Sequence, residues 1–102
     1  MWYEDEEPKR YDWKEGSLII PPDQCFHQHF NTGQQPARYL ALRFHRSAIV
    51  RSKGIKVSSL STREGGDQIM YADEAAVVRE MYAQECAANG VQIQMEEHYA
   101  SE

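Results

Sequence analysis

The residues best equipped for chemistry in this chain stand close together. Gly16 to Asn31 reads Gly-Ser-Leu-Ile-Ile-Pro-Pro-Asp-Gln-Cys-Phe-His-Gln-His-Phe-Asn. His27, His29 and Asn31 are two residues apart, so an extended backbone turns all three to one face and sends Phe26 and Phe30 to the other. Two imidazoles beside an amide suit a divalent first-row metal, because imidazole nitrogen binds Fe, Mn, Ni, Cu and Zn. The same pattern is that of a sheet with one solvated side. Cys25 shares the His27 face, as a thiolate ligand or as a small buried thiol. No Ser-His-Asp set, phosphate loop or Cys-x-x-Cys accompanies these residues.

Positioning such a cluster takes strands. Glu15-Gly16 turns into the β-branched run Ser17-Leu18-Ile19-Ile20, which Pro21-Pro22 stops because proline cannot donate to a ladder. Cys25 to Phe30 resumes extended chain, Asn31-Thr32-Gly33 turns it, and Ala37 to Phe44 alternates as the clearest strand. These three predict an antiparallel meander, and the fold class that follows is mainly β with one C-terminal helix. Residues 45–66, rich in Ser, Arg, Lys and Gly, read as a surface crossover with a weak strand at Ile55 to Leu60. The spacing of Ala75, Val78, Met81, Tyr82 and Cys86 predicts a helix with Asp73 as its N-cap and Asn89-Gly90 as its stop. Val91, Ile93 and Met95 alternate as a short strand, and the acidic end reads as frayed. The expected organisation is a β portion over residues 1–66 and a helical extension over 67–102.

Composition narrows the functional classes. The chain has 102 residues, enough for one core at most. Its net charge of −5 argues against a nucleic-acid coat, and no apolar run approaches a membrane span. Charge is strongly segregated. Met1 to Gly16 holds six acids and three bases, Gln24 to Arg63 seven bases and no acid, and Glu64 onward nine acids and one base. A basic crossover lying near an acidic helix accounts for that pattern better than a nucleic-acid surface does. An anion clamp at Arg43, His45 and Arg46 competes with a plain solvated strand end. The acidic start lacks the basic character of a targeting signal, and two distant cysteines make no disulfide framework, which together predict a cytoplasmic protein.

The order Gly16, five residues, Pro22, then His27 and Asn31 resembles the second motif of the cupins, G-x5-P-x-G-x2-H-x3-N, with Gln24 where that family has Gly. Phe26 to Gly33, Pro36 to Leu42, Gly65 to Ile69 and an acidic helix resemble the closing portion of one bacterial cupin subgroup. The resemblance implies part of a small β-barrel, or jelly roll, around one metal ion, with His27 as ligand and His29, Asn31 and Cys25 lining the pocket. It implies one divalent ion (Fe, Mn, Ni or Zn) if the site is completed. It also implies a dioxygenase-like action on a small organic, possibly aromatic, acid. The family's first motif, a His-x-His pair followed by a carboxylate, is missing here: no histidine precedes Gly16. The expectation is therefore the C-terminal portion of a mononuclear-metal cupin, inactive alone. The alternative is a non-catalytic module for small-ligand binding or assembly. Expected partners are a small molecule and further copies of the chain, joined through the open sheet edge, with no nucleic acid and no membrane.

Overall fold

The computed structural model describes residues 1–42 and 60–100. Two α-helices organise the described residues: α1, Ala76–Ala88, and α2, Glu96–Ala100. Helix α1 forms because Ala, Arg, Glu, Met and Gln dominate its sequence and lose little rotamer freedom in a helix. Its stop is a complete Schellman closure. Gly90, at φ 67°, donates to the Ala87 carbonyl at 3.2 Å, and Val91 donates to that of Cys86 at 2.8 Å. Val78 and Cys86 are the described hydrophobic residues that become buried, at 4% and 0% exposure. Met81 and Tyr82 flank them half-buried, with the Tyr82 ring 5.1 Å from that of Phe30. The stripe expected from the spacing thus faces the body of the protein, except at Ala75, which is exposed.

Asp73 does not cap α1. It closes a 3-10 turn, Tyr71–Asp73, and Ala75 occupies the cap position without a side-chain bond. The Asp73 carboxylate is instead gripped by the Arg63 guanidinium, at 2.8 Å from Nη2 and 2.6 Å from Nε. That pairing holds its carboxyl below the usual carboxylate range. The acidic end is also ordered into α2, with the Arg79 guanidinium 4.3 Å from the centre of the Tyr99 ring.

The mainly β expectation is overturned, and with it the barrel and jelly roll: among the described residues there is no β-strand. Backbone pairing is reduced to isolated bridges. Trp2 and Phe26 exchange both hydrogen bonds, at 3.0 and 2.8 Å, as one antiparallel pair, and Ser61 meets Gln68 in a parallel one. Among the described residues, 18–21 and 37–42 make no backbone hydrogen bond, nor do residues 91–95 form a strand. The alternation that predicts strands fixes which side chains share a face, but not which segment pairs with which. Pro8, Pro21, Pro22 and Pro36 remove donors at the margins of the segments that would have to align. The turn between them is nonetheless sharp: Cys25 donates to Pro22 at 3.2 Å, and Gln24 takes φ 62°, the left-handed conformation that favours glycine. The weak strand at Ile55 to Leu60 and the cluster of Arg43, His45 and Arg46 lie outside the described residues, Leu60 excepted.

Candidate functional site

Four polar tethers hold the N-terminal half of the chain against α1. Arg10 donates to Glu85 at 2.7 Å and to Asp12 at 2.6 Å. Gln28 donates to Glu74 at 2.5 Å, Gln34 to the Asn89 carbonyl at 2.8 Å, and Asn89 to the Thr32 carbonyl at 3.0 Å. Glu74, whose side chain is only 5% exposed, also accepts from Arg79 at 3.3 Å. The space these tethers enclose is a cleft of about 970 Å³. One wall comes from residues 8–15, another from residues 27–38, and the third from the Val78, Met81 and Tyr82 side of α1. That is the size of a small-molecule pocket, and its aromatic walls, Trp13, Phe30 and Tyr82, suit a flat apolar ligand.

The chain's cluster of histidines opens into this cleft. His27 and His29 stand edge to face with ring centres 5.5 Å apart, and His29 lies 4.8 Å from the Tyr39 ring. His27 Nδ1 sits 3.5 Å from the Cys25 carbonyl. Asn31 lines the cleft too, but its amide serves the backbone: it donates to the Gln35 carbonyl at 2.8 Å and accepts from the Gly33 N–H at 3.1 Å. Asn31 is thus a turn residue, stapling residues 31–35. Cys25 stays outside the cleft, half-buried, with its thiol directed to the carbonyls of Trp2 and Phe26 at 3.4 and 3.5 Å.

These positions bear on the expected metal site. A mononuclear centre needs three or four donors converging on one point. Among the described residues no group of three His, Cys, Asp or Glu side chains is placed to hold an ion. His27 and His29 neighbour each other, the Cys25 thiol is turned to carbonyls, and the Asn31 amide is spent on its turn. Among the described residues the donors beside His27 do not converge on one point, so no chemistry is routed through an ion.

The cleft's electrostatics depend on residues that the motif reading passed over. Arg10 is neutralised by Asp12 and Glu85. Arg38 and Lys14 line the same cleft with no ion-pair partner among the described residues, against one unpaired lining carboxylate, Glu15. Sequence offered one signal toward this wall: Trp13, an aromatic in a charged stretch, which needs a surface to pack on. Arg38 gave none, because its role depends on where residues 8–15 return.

Burial, and then the neighbouring His27, push the His29 imidazole below the ordinary histidine value. Its lowered value means that the neutral ring is the one the fold accommodates. The associated stability is present above the ordinary value of about 6.5 and is lost as pH falls from there through the folded value. An NMR titration of the ring protons should therefore give His29 a midpoint below about 6.5. His27→Gln should raise that midpoint while burial keeps it below the ordinary value; a midpoint at or above it contradicts the placement.

No family model, curated protein or solved structure matches the chain. Among the described residues no helix is long and apolar enough to cross a membrane.

Proposed function

We propose that this chain is a non-catalytic module that binds a small organic acid carrying an aromatic ring. The observation that supports this reading is the Arg38 guanidinium, unpaired among the described residues, in a cleft walled by Trp13, Phe30 and Tyr82. A guanidinium presents a planar fork that matches a carboxylate with two parallel hydrogen bonds. The ligand's carboxylate takes Arg38, Lys14 adds a second positive charge, and the ring displaces water from the aromatic walls. The likeness of residues 16–31 to the second cupin motif supports the small-molecule side of the reading. Its catalytic side requires a metal centre that the described donors do not supply. Free Cys25 and Cys86 suit a reducing, cytoplasmic setting.

The test is a calorimetric and Trp-fluorescence titration with benzoate and indole-3-acetate, using their methyl esters and cyclohexanecarboxylate as controls. The acids should bind, the esters should bind at least tenfold more weakly, and the saturated ring should lose the contribution of the aromatic walls. Arg38→Gln should weaken the acids about tenfold, the equivalent of about 1.4 kcal/mol, and leave the esters unchanged. Equal affinity of acids and esters, or no binding of either, would overturn the reading.

A further inference from the structure

The histidine-bearing span runs from the Trp2–Phe26 bridge to the ring contact of Phe30 with Tyr82. Its own backbone gives it no support: among the described residues, 27–30 make no backbone hydrogen bond. The side chain that fastens it is Gln28, whose Nε2 donates to Glu74 Oε1 at 2.5 Å, across 46 positions of sequence. Glu74 follows the Tyr71–Asp73 turn, two residues before α1, and lies outside the cleft lining. Its side chain is 5% exposed and its two oxygens are divided, Oε1 to Gln28 and Oε2 to Arg79 Nε at 3.3 Å. Arg79 is fixed in turn by the Tyr71 carbonyl and by the Tyr99 ring, 4.3 Å away. A carboxylate so withdrawn from water keeps its charge only where it is paired, and that pairing aims Oε1 at Gln28. We propose that Glu74 is a positioning residue of the small-molecule site, holding Gln28 so that His27, His29 and Phe30 stay in place along the cleft wall. The proposal rests on the reading of the cleft as an aromatic-acid site and extends it to a group that does not touch the ligand.

Charge separates this role from a direct one. A carboxylate can only oppose an anionic ligand, so by electrostatics alone the acid should bind better once Glu74 is neutralised. Positioning has the opposite sign: without Glu74, the Gln28 amide loses its anchor and the wall that carries Phe30 and the histidines is released from α1. Hydrogen-bond chemistry also supplies a conservative replacement. Glutamine at position 74 keeps both contacts, because its carbonyl oxygen accepts from Arg79 and its amide nitrogen donates to Gln28 once that amide turns over to present its oxygen. Methionine, of similar length, keeps neither.

Calorimetry with benzoate, together with proton NMR of the imidazole rings in the ligand-free protein, tests the assignment. Glu74→Met should lower benzoate affinity about tenfold and move the His27 and His29 ring signals, and Glu74→Gln should bring both back to wild-type values. Gln28→Met should move the ring signals in the same way, and the double variant Gln28→Met with Glu74→Met should match Glu74→Met, because both substitutions remove one bond. Far-UV circular dichroism of each variant should match wild type; should Glu74→Met lose its helical signal, Gln28→Met and Glu74→Gln carry the test. Unmoved ring signals in Gln28→Met, a benzoate affinity that rises in Glu74→Met, or a Glu74→Gln as impaired as Glu74→Met would each overturn the proposal. A wild type that binds no aromatic acid overturns the binding reading instead, and the ring signals of the ligand-free protein then decide by themselves whether Glu74 holds the histidine span.

Discussion

Replacing Gly66 by alanine should dissolve the turn formed by residues 60–68 and destabilise it by about 2–4 kcal/mol. Gly66 is buried, and an added Cβ would sit 2.0 Å from the Leu60 carbonyl oxygen, 2.4 Å from its carbon and 2.6 Å from the Leu60 Cβ. Two of these three atoms are backbone and cannot rotate away. The same carbonyl accepts from Gln68 at 3.0 Å, while Thr62 donates to Gln68 at 2.9 Å and Gly66 itself to Ser61 at 2.8 Å. Moving Leu60 to admit a methyl group breaks this set together. The neighbouring glycine provides the control. Gly65 has φ 80° but open space where its Cβ would go, so Gly65→Ala carries only the left-handed backbone cost of about 1 kcal/mol. Amide hydrogen exchange at Thr62, Gly66 and Gln68 reads the turn directly: protection should fall far more in Gly66→Ala than in Gly65→Ala. The reverse ranking would mean that close approach does not shape this turn.

What could be read in the sequence follows a physical division between local and non-local information. Helix α1 was legible because its period, its good formers and its Asn89-Gly90 stop all act within a few residues. Its first turn was not. Asp73 has the chemistry of a cap, but Arg63, ten positions away in sequence, takes its carboxylate. Strands failed for the same reason on a larger scale. Leu18, Ile20, Leu40 and Leu42 alternate as strand residues should, yet a ladder needs a second segment in register, and no described segment supplies it.

The candidate site divides in the same way. That His27, His29 and Asn31 share a side was legible from their spacing, and all three line one cleft. That Asn31 spends its amide on the 31–35 turn is local, in keeping with the Asn31-Thr32-Gly33 turn signal, whereas the company Arg38 and Lys14 keep in the cleft depends on long-range tethers such as Arg10–Glu85. The basic and acidic blocks do meet, but through particular pairs. Arg63 reaches Asp73 across the change of charge, and Arg10, in the acidic N-terminal block, reaches Glu85. Among the described residues, charged side chains from the separate blocks thus meet in particular tethers.

Because those tethers are exposed or half-exposed, each contributes little by itself, and the apolar face of α1 must carry the docking of the helix. That gives Val78→Asp the second large effect. Val78 is 4% exposed, so a carboxylate introduced there is desolvated, and the adjacent Arg79 is engaged by Glu74 and the Tyr71 carbonyl. An unpaired buried carboxylate costs about 3–5 kcal/mol, a large share of the total stability of a small domain. Val77, one residue earlier and 38% exposed, is the control: Val77→Asp should stay within about 0.5 kcal/mol of wild type. Urea unfolding followed by the helical signal should separate the two variants clearly.

A pH series gives the effect its signature. Burial raises the carboxyl of the Val78→Asp variant above its unfolded value, so the penalty is full at neutral pH and shrinks as pH falls through the folded value, where the neutral acid is accommodated. A mere loss of aliphatic volume would show no such recovery. Equal midpoints for the two variants, or a Val78→Asp deficit that ignores pH, would mean that α1 docks through some other face. In Val78→Asp as expected, the third wall of the cleft is no longer in place. With Tyr82 released from Phe30, the Arg38 site would lose its aromatic floor, so weakened binding of aromatic acids should accompany the loss of stability in Val78→Asp and be absent in Val77→Asp.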